Sequence, residues 1–337
     1  MKFKAISIIS AMVLTVGVLA GCGAKTPATP TTAPSGTSAP TETAWPTKTV
    51  EVLVTASAGG DTDFNARTFA KYFEKITGQT MIITNMGGGG GSVATSQVKN
   101  SAKDGNTILF THTGPMIVNE VAGLVDYGYD AFDVAAIPAV DKGVILVASK
   151  KSGLTDAADL VAKAKATPGK IIFGTELGGY SHLQGLMLMD QAGIDMKVVD
   201  VGSAAEKVTN LLGGRIDVAA ISYGTIQDYL KTGDMVALGQ FSAERNEYLG
   251  DIKTLTEQGL DFAMEKPYII AFPKGTDAKI IEKMSSIAKQ ISENPEYAKD
   301  LETGFKQPVT VYQTADAIQL LKETREDFFK FQALLKK

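Results

Sequence analysis

The sequence predicts an α/β protein with mostly parallel sheets, and three observations support this fold class. From Val50 onward, short apolar runs alternate with amphipathic helical patterns. Glycine-rich turns follow several of these runs, at the points where a strand leads into a helix. Residues 45–337 are long enough for two lobes. Alternation of this kind predicts mainly parallel sheets with helices on both faces.

Residues 1–21 have the charge order and length of a signal peptide. Lys2 and Lys4 form a basic start, and an apolar run over 5–18 is short for a membrane span. The following Leu-Ala-Gly-Cys is similar to a bacterial lipobox, which predicts cleavage before Cys22 and acylation of its thiol. The alternative is an ordinary signal with a chance cysteine. Cys22 is the only cysteine, which excludes an intrachain disulfide and a thiolate metal site.

Residues 22–44 are expected to form a lipid-anchored flexible linker. They are mostly Thr, Pro, Ala and Ser, which cannot bury enough apolar surface to offset the entropy of ordering. Beyond the signal, no apolar run is long enough to span a membrane. The net charge of −4 and the lack of a basic run argue against a nucleic-acid partner. We therefore expect an extracytoplasmic body that is anchored to the cell membrane.

The first strand–helix unit contains the turn Gly59-Gly60-Asp61-Thr62-Asp63. A strand is predicted over 50–54 and a helix over 62–77, which ends at Gly78. The turn is consistent with a phosphate cradle, a pocket for a small carboxylate, or a plain helix cap. In the cap, Asp61 or Thr62 would be the N-cap, and Asp63 would suit the helix dipole. A cap does not need two glycines, whereas close approach of the backbone to a ligand does.

The second unit has a run of five glycines, Gly87 to Gly91, between a strand over 81–84 and a helix over 92–102. Nucleotide binding is excluded by pattern, because Ser92 and Val93 stand where G-x-G-x-x-G needs glycine and no P-loop lysine follows. Close approach to an anion and a merely flexible turn remain open. A third strand over 106–111 ends at His112.

The second half of the chain repeats the strand–glycine–helix design. The segment 174–182 ends a strand, and there the Ser181 hydroxyl or a neutral His182 is a candidate to bond a ligand oxygen; the alternative is a helix cap with a partly buried histidine. Ser203 and Glu206 have the spacing of a capping box. From Asp277 the chain is predicted to be helical, in two segments, to its end. Further strands are predicted over 143–149, 170–174, 197–201, 215–222 and 235–240, and a helix over 155–166.

Catalytic and metal sites have little support in the sequence. The only histidines, His112 and His182, are far apart and lack a metal-ligand spacing. There is no G-x-S-x-G elbow, and acylation of Cys22 would leave no cysteine nucleophile. We therefore expect no enzymatic activity, no cofactor and no metal.

The chain resembles the extracytoplasmic solute-binding receptors of tripartite tricarboxylate transporters, the TctC or Bug family. The resemblance covers Trp45 to about Lys337. The matching motifs are individually weak but specific in their order and spacing. They are Trp45-Pro46, Ala58 to Asp63 with Ala66-Arg67, Asn85, Asp104 to Leu109, Tyr129 to Asp133, Pro168-Gly169-Lys170, Leu211 to Asp217 and Thr254 to Gly259.

The resemblance implies a two-lobed type II periplasmic-binding-protein-like fold, with a hinge between two doubly wound sheets. Lobe one would comprise 45–147 plus 269–337 and lobe two 148–268, with the strands 143–149 and 267–272 crossing between them. A small carboxylate would bind between the lobes and pass to the integral membrane subunits of the transporter, without chemistry. A receptor for another transporter or a sensor kinase, a secreted enzyme on the same fold, and a structural lipoprotein are the alternatives.

The family's contacts imply that a ligand carboxylate is bound by backbone N–H groups, hydroxyls and waters rather than by an arginine. Two departures affect the second lobe: its loop is one residue shorter and carries Tyr180, and Asp200 and Val201 replace a tyrosine and a lysine. An acid at position 200 disfavours an anion nearby. Tyr180 and Tyr223 suggest a flat or partly aromatic ligand. The implied ligand-binding residues are Gly59, Gly60, Thr62, Asp63, His112, Thr113, Thr175, Ser181, His182 and Ser203.

Overall fold

The structure is a computed structural model that describes residues 44–336. The predicted signal peptide, Cys22 and nearly all of the predicted linker lie outside this range. The strands are β1 (Val50–Val54), β2 (Met81–Asn85), β3 (Thr107–His112), β4 (Phe132–Asp141), β5 (Val144–Ser149), β6 (Ile172–Thr175), β7 (Lys197–Asp200), β8 (Val218–Ser222), β9 (Met235–Gln240), β10 (Lys266–Pro273) and β11 (Tyr312–Gln313). The helices are α1 (Asp61–Thr77), α2 (Ser92–Lys99), α3 (Asn119–Val121), α4 (Ala157–Ala166), α5 (Tyr180–Ala192), α6 (Ala204–Gly213), α7 (Tyr223–Thr232), α8 (Ala278–Ser292), α9 (Pro295–Phe305), α10 (Thr314–Phe329) and α11 (Gln332–Leu335).

The strands form two separate sheets, which confirms the predicted α/β class. The first has the order β11-β4-β10-β3-β1-β2, and the second has the order β7-β6-β8-β5-β9. We call each sheet, with the helices and loops that pack on it, the first-sheet half and the second-sheet half. The chain passes from the first to the second through Lys142 and Gly143, and it returns at the start of β10.

The prediction of mostly parallel sheets is wrong, because both sheets are mixed. β1 pairs in parallel with β2 and β3, and β6 with β7 and β8. β10 is antiparallel to β3 and β4, and β5 is antiparallel to β8 and β9. A parallel pairing needs a crossover connection, usually a helix. β5 and β10 are instead entered directly from the other sheet, so their direction is set by the passage between the halves.

Strand β4 was not predicted, although it is the longest strand of the first sheet and pairs with both β10 and β11. Nine of its residues are buried and one is partly buried, so the sequence shows no alternation of polar and apolar positions. Pro138 also argues against a central strand. The structure accommodates this proline at a register shift, where Ile137 and Pro138 of β4 oppose the single residue Ile269 of β10. Such a bulge removes the need for a ladder N–H at this position.

The C-terminal region is more divided than predicted. Four helices, α8 to α11, replace the two expected helical segments, and the short strand β11 separates α9 from α10. Pro295 occupies the first turn of α9, where its missing N–H costs nothing, and Asn294 caps that helix. Helix α7 was also not predicted. Within the described part of the chain, no helix has the length and apolar character needed to cross a membrane.

Candidate functional site

A cavity of about 580 Å³ lies where the loops of the two halves face each other. From the first-sheet half it is lined by the segment after β1, the glycine run after β2 and the end of β3. From the second-sheet half it is lined by the segments after β6 and β7 and by the end of β8. The cavity therefore sits at strand ends, where α/β folds bind ligands. Of the predicted site residues, the cavity is lined by Gly60, Thr62, His112, Ser181 and Ser203.

The other predicted residues do not line the cavity; they are Gly59, Asp63, Thr113, Thr175 and His182. Asp63 instead binds groups behind the turn that precedes α1. Its carboxylate accepts hydrogen bonds from the Gly59 N–H at 2.9 Å and the Asn85 amide at 2.9 Å, and it pairs with Arg67 at 2.9 Å. Burial opposes ionisation, but these bonds, led by that from Arg67, lower the pKa of Asp63. Asp63 therefore holds the Gly59 turn in place from behind.

The N-cap of α1 is Gly60, so the expectation that Asp61 or Thr62 caps this helix is wrong. Gly59 has a φ of +84°, which a residue with a side chain adopts at a cost. The turn places the backbone of Gly60 and the side chain of Thr62 at the cavity. The first turn of α1 is thus directed at the cavity without a side-chain cap.

Asp61 lies at the floor of the cavity, in a buried polar network that sequence reasoning missed. Its Oδ2 lies 2.5 Å from Lys266 Nζ and accepts the Tyr268 hydroxyl at 2.6 Å. Burial would raise the pKa of Asp61, but Lys266 and Tyr268 lower it to about 2. In the same network, the Ser222 hydroxyl donates a hydrogen bond to the Asp141 carboxylate. Burial raises the pKa of Asp141. The network joins residues from both halves of the molecule.

His112 is held in its neutral form. Its Nδ1 accepts the Gly114 N–H at 3.0 Å, so the ring proton resides on Nε2. Burial, and then the charge of Lys266, lower the pKa of His112 to about 3. Its ring also meets Tyr180 edge-on, with the centroids 5.9 Å apart. The neighbouring Thr113 is fully buried but does not line the cavity.

Ser181, the predicted hydroxyl of the second-sheet half, is bound to a lysine that was not predicted. Lys207 Nζ donates to Ser181 Oγ at 2.6 Å, and Thr175 Oγ1 lies 2.8 Å from the same oxygen. Thr175 is fully buried and does not line the cavity. His182 does not line it either: it is partly buried, as in the alternative considered, and its Nδ1 accepts the N–H of Gly178 at 3.1 Å in the turn before α5, whose N-cap Gly179 has no side-chain cap bond.

The predicted capping box at Ser203 is formed only in part. Ser203 is the N-cap of α6, but its hydroxyl donates to the Glu206 carboxylate and accepts no helix N–H. Asp200 is exposed at the edge of the cavity, where its carboxylate accepts the Gly202 N–H at 3.2 Å. Tyr180 lines the cavity, with its hydroxyl bound to the Glu265 carbonyl at 2.8 Å, whereas Tyr223 does not line it.

Sequence reasoning also missed Lys207, Lys266 and Gln184, which line the cavity. A lysine or glutamine within a helix normally marks its solvent face, so no local signal distinguishes Lys207 and Gln184. Within residues 44–336, no group of three or more His, Cys, Asp or Glu side chains is placed to hold a metal ion.

Comparison with known proteins is consistent with this geometry. The family model TctC, described as "Tripartite tricarboxylate transporter family receptor", matches residues 65–337. An Agrobacterium vitis relative, the "UPF0065 protein in the TAR-I ttuE-ttuC' intergenic region", is 30% identical over 250 residues, which cover 73% of this chain and 72% of the relative.

Two solved structures show the same fold. The R. palustris protein Rpa4515, solved with adipate, has a TM-score of 0.78 at 22% identity. The match covers 86% of this chain and 98% of the Rpa4515 chain. The periplasmic binding protein BugD has a TM-score of 0.78 at 23% identity, with the same coverage of 86% and 98%. The expected periplasmic-binding-protein-like fold is thereby confirmed.

Proposed function

The chain belongs to the tripartite tricarboxylate transporter receptor family, TctC, and we propose that it captures a small carboxylate between two lobes. Lobe one comprises 45–147 plus 269–337, and lobe two comprises 148–268. We further propose that the receptor is extracytoplasmic, is anchored to the cell membrane through Cys22, and delivers its ligand to the integral membrane subunits of the transporter. The family description and the lipobox-like sequence before Cys22 support these steps.

The observation that carries the proposal is the convergence of three helix N-termini on one cavity. The first residues of α1, α5 and α6 all line it, α1 from lobe one and the other two from lobe two. The free N–H groups and the positive end of the dipole at each N-terminus favour a bound anion. Neutral His112 adds a ring N–H donor, and a carboxylate is an anion of the size that such a cavity holds.

Binding and release would require the lobes to move apart and together. The two lobes approach each other across the cavity, since a methyl group on Gly60 would lie 3.8 Å from Ala204 Cβ. A ligand that contacts both lobes stabilises the closed form by its differential affinity for that form. No chemical step is needed, so the function is capture and delivery without turnover.

Thermal unfolding of the protein in the presence of single acids tests this function. The panel is hexanoate, 6-aminohexanoate, adipate, malate, glutamate, citrate and benzoate; adipate is the acid in the Rpa4515 structure. A ligand at about 100 times its dissociation constant adds roughly 2.7 kcal/mol to the free energy of unfolding. We expect a clear rise of the unfolding temperature for at least one acid, with the acid recovered unchanged. No rise with any acid would contradict the proposed function.

A further inference from the structure

Lys207 is a buried cation without an acidic partner. Its side chain belongs to α6 and lines the cavity, and the residue is 6% exposed. Nζ donates to the Ser181 hydroxyl at 2.6 Å, but within residues 44–336 no carboxylate oxygen lies within 4.0 Å of it. Lys266, the other cavity lysine, is paired with Asp61 at 2.5 Å. The two lysines are therefore not equivalent: Lys266 is already neutralised and Lys207 is not.

A buried charge without a partner costs free energy, and the protonation of Lys207 reflects this cost. Burial lowers the pKa of Lys207 to about 8, although the more distant Glu176 opposes the shift. An anion placed beside Nζ from the cavity would remove the cost. A ligand carboxylate would thus supply the acidic partner that Lys207 lacks within residues 44–336.

A second unpartnered donor lies in the same wall of the cavity. Gln184, on the first turns of α5, is 1% exposed and lines the cavity, and its Nε2 has no hydrogen-bond partner within the described residues. Ser181, which binds Lys207, lies one turn earlier on the same helix. A buried amide without a partner is costly in the same way as a buried charge. Both groups are donors, and both line one cavity.

The remaining charges limit how many carboxylates the ligand can carry. Besides the paired Asp61, the acids Glu176, Asp200 and Glu206 line the cavity, and Lys207 is the only unpaired lysine among the lining residues. A second or third ligand carboxylate would face these acids without a cation to compensate it. An ammonium or hydroxyl group would instead meet acceptors.

We infer that Lys207, assisted by the Gln184 amide, is the cationic anchor for one ligand carboxylate, and that the cavity prefers acids with a single carboxylate, including amino acids with one carboxylate, over di- and tricarboxylates. The inference rests on the proposed function and names its binding group. The family resemblance implied backbone groups, hydroxyls and waters as the carboxylate contacts. A direct ion pair between Lys207 and the ligand carboxylate would differ from those contacts.

The test compares wild type, Lys207→Met and the matched control Lys231→Met in calorimetric titrations with the panel acids. Lys231 lies on α7 of the same lobe and is 65% exposed beside Asp228. We expect Lys207→Met to weaken binding of the tightest panel acid about 10- to 100-fold, as for a lost bond to a charged group, and Lys231→Met to leave it unchanged. Without ligand, Lys207→Met should unfold at the same or a higher temperature, since it removes an unpaired buried charge.

Each of the following outcomes would overturn one part of the inference or the proposed function. Wild-type affinity in Lys207→Met overturns the anchor and leaves the proposed function standing. A ligand-free Lys207→Met that unfolds well below wild type assigns the lysine a structural role and also overturns the anchor. Adipate, malate, glutamate or citrate as the tightest ligand overturns the preference for a single carboxylate. Wild type that binds no panel acid contradicts the proposed function itself, and the anchor falls with it.

Discussion

At the floor of the cavity, the Asp61 carboxylate is held by two side chains from one strand. Lys266 Nζ lies 2.5 Å and the Tyr268 hydroxyl 2.6 Å from the same oxygen, and both residues belong to β10. Asp61 and Lys266 are 6% and 9% exposed, so neither charge is solvated well enough to stand alone. The pair therefore ties the start of α1 to the strand that returns from the second sheet.

Replacing Lys266 by Met should destabilise the protein strongly. The substitution leaves Asp61 as a buried carboxylate without its cation, and breaking such a pair costs about 3–5 kcal/mol. Lys274→Met is the matched control, because its ion pair with Asp133 is largely exposed and contributes at most about 1 kcal/mol. Chemical denaturation gives both free energies of unfolding. Equal losses in the two variants would contradict the role assigned to Lys266.

Lys207 should make ligand binding depend on pH. Its pKa of about 8 in the free protein rises when a carboxylate binds beside it. The amine is half protonated near pH 8 and nearly fully protonated about one pH unit lower, so affinity is highest well below pH 8 and falls by up to about tenfold per pH unit above it. The charged groups that act on Lys207 are Glu176, Lys266, Asp61 and Asp200.

The measurement is a series of titrations of the tightest panel acid from pH 6 to 10. Lys207→Arg provides the control, since a guanidinium stays protonated across this range. Whatever affinity Lys207→Arg retains should be nearly constant with pH. A wild-type profile that is flat to pH 10, or an Arg variant that shows the same fall, would exclude Lys207 as the titrating group.

At the scale of the element, the turn before α1 depends on one glycine more than on its neighbour. Gly59 has a φ of +84°, and no atom lies within 4 Å of the position that a Cβ would occupy, so only backbone strain opposes a side chain there. Gly60, the N-cap, has an ordinary φ of −88°. The two consecutive glycines therefore serve different purposes: the first permits the turn, and the second leaves room at the cavity.

Gly59→Ala and Gly60→Ala form a matched pair that tests this division. We expect Gly59→Ala to lower the free energy of unfolding by about 1–2 kcal/mol, the cost of a left-handed conformation for a residue with a Cβ. Gly60→Ala should cost less, about 0.5 kcal/mol, because Gly60 has an ordinary φ and the loss is only that of a poorer N-cap residue. Denaturant unfolding distinguishes the two, and an equal loss would show that the turn tolerates the strain.

The elements that sequence alone predicted correctly are those with a local pattern. β1, β3 and α1 were predicted within about a residue of their observed ends, since each has its own local pattern, and α1 also has glycines at both of its ends. β4 lacks alternation because it is buried on both faces, and α7 was not recognised. The directions of β5 and β10 depend on how the chain passes between the sheets, which no local pattern records.

The sequence likewise predicted only part of the cavity lining. Strand-end loops with glycines and hydroxyls were recognised locally, and Gly60, Thr62 and Ser203 do line the cavity. The ion pair of Asp61 with Lys266 joins residues about 200 positions apart, so composition and spacing carry no trace of it. Lys207 lies in a helix of ordinary amphipathic pattern, and only the approach of α5 and α6 shows that it is buried.

For the whole molecule, two mixed sheets enclose one cavity at the ends of their strands. Three helix N-termini supply a field that favours an anion, and Lys207 supplies a positive charge that has no acidic partner within residues 44–336. The acids Glu176, Asp200 and Glu206 in the lining of the cavity underlie the inferred preference for a single carboxylate. The chain belongs to the TctC receptor family, and a cavity that favours an anion is consistent with that membership.

The most direct test of this account is a crystal structure of the protein with the tightest-binding acid of the panel. The account predicts the acid in the cavity, contacted by both lobes, with a carboxylate oxygen within hydrogen-bond distance of Lys207 Nζ. A ligand bound elsewhere on the molecule would contradict the proposed function. A ligand in the cavity whose carboxylate lies away from Lys207 would contradict the anchor alone.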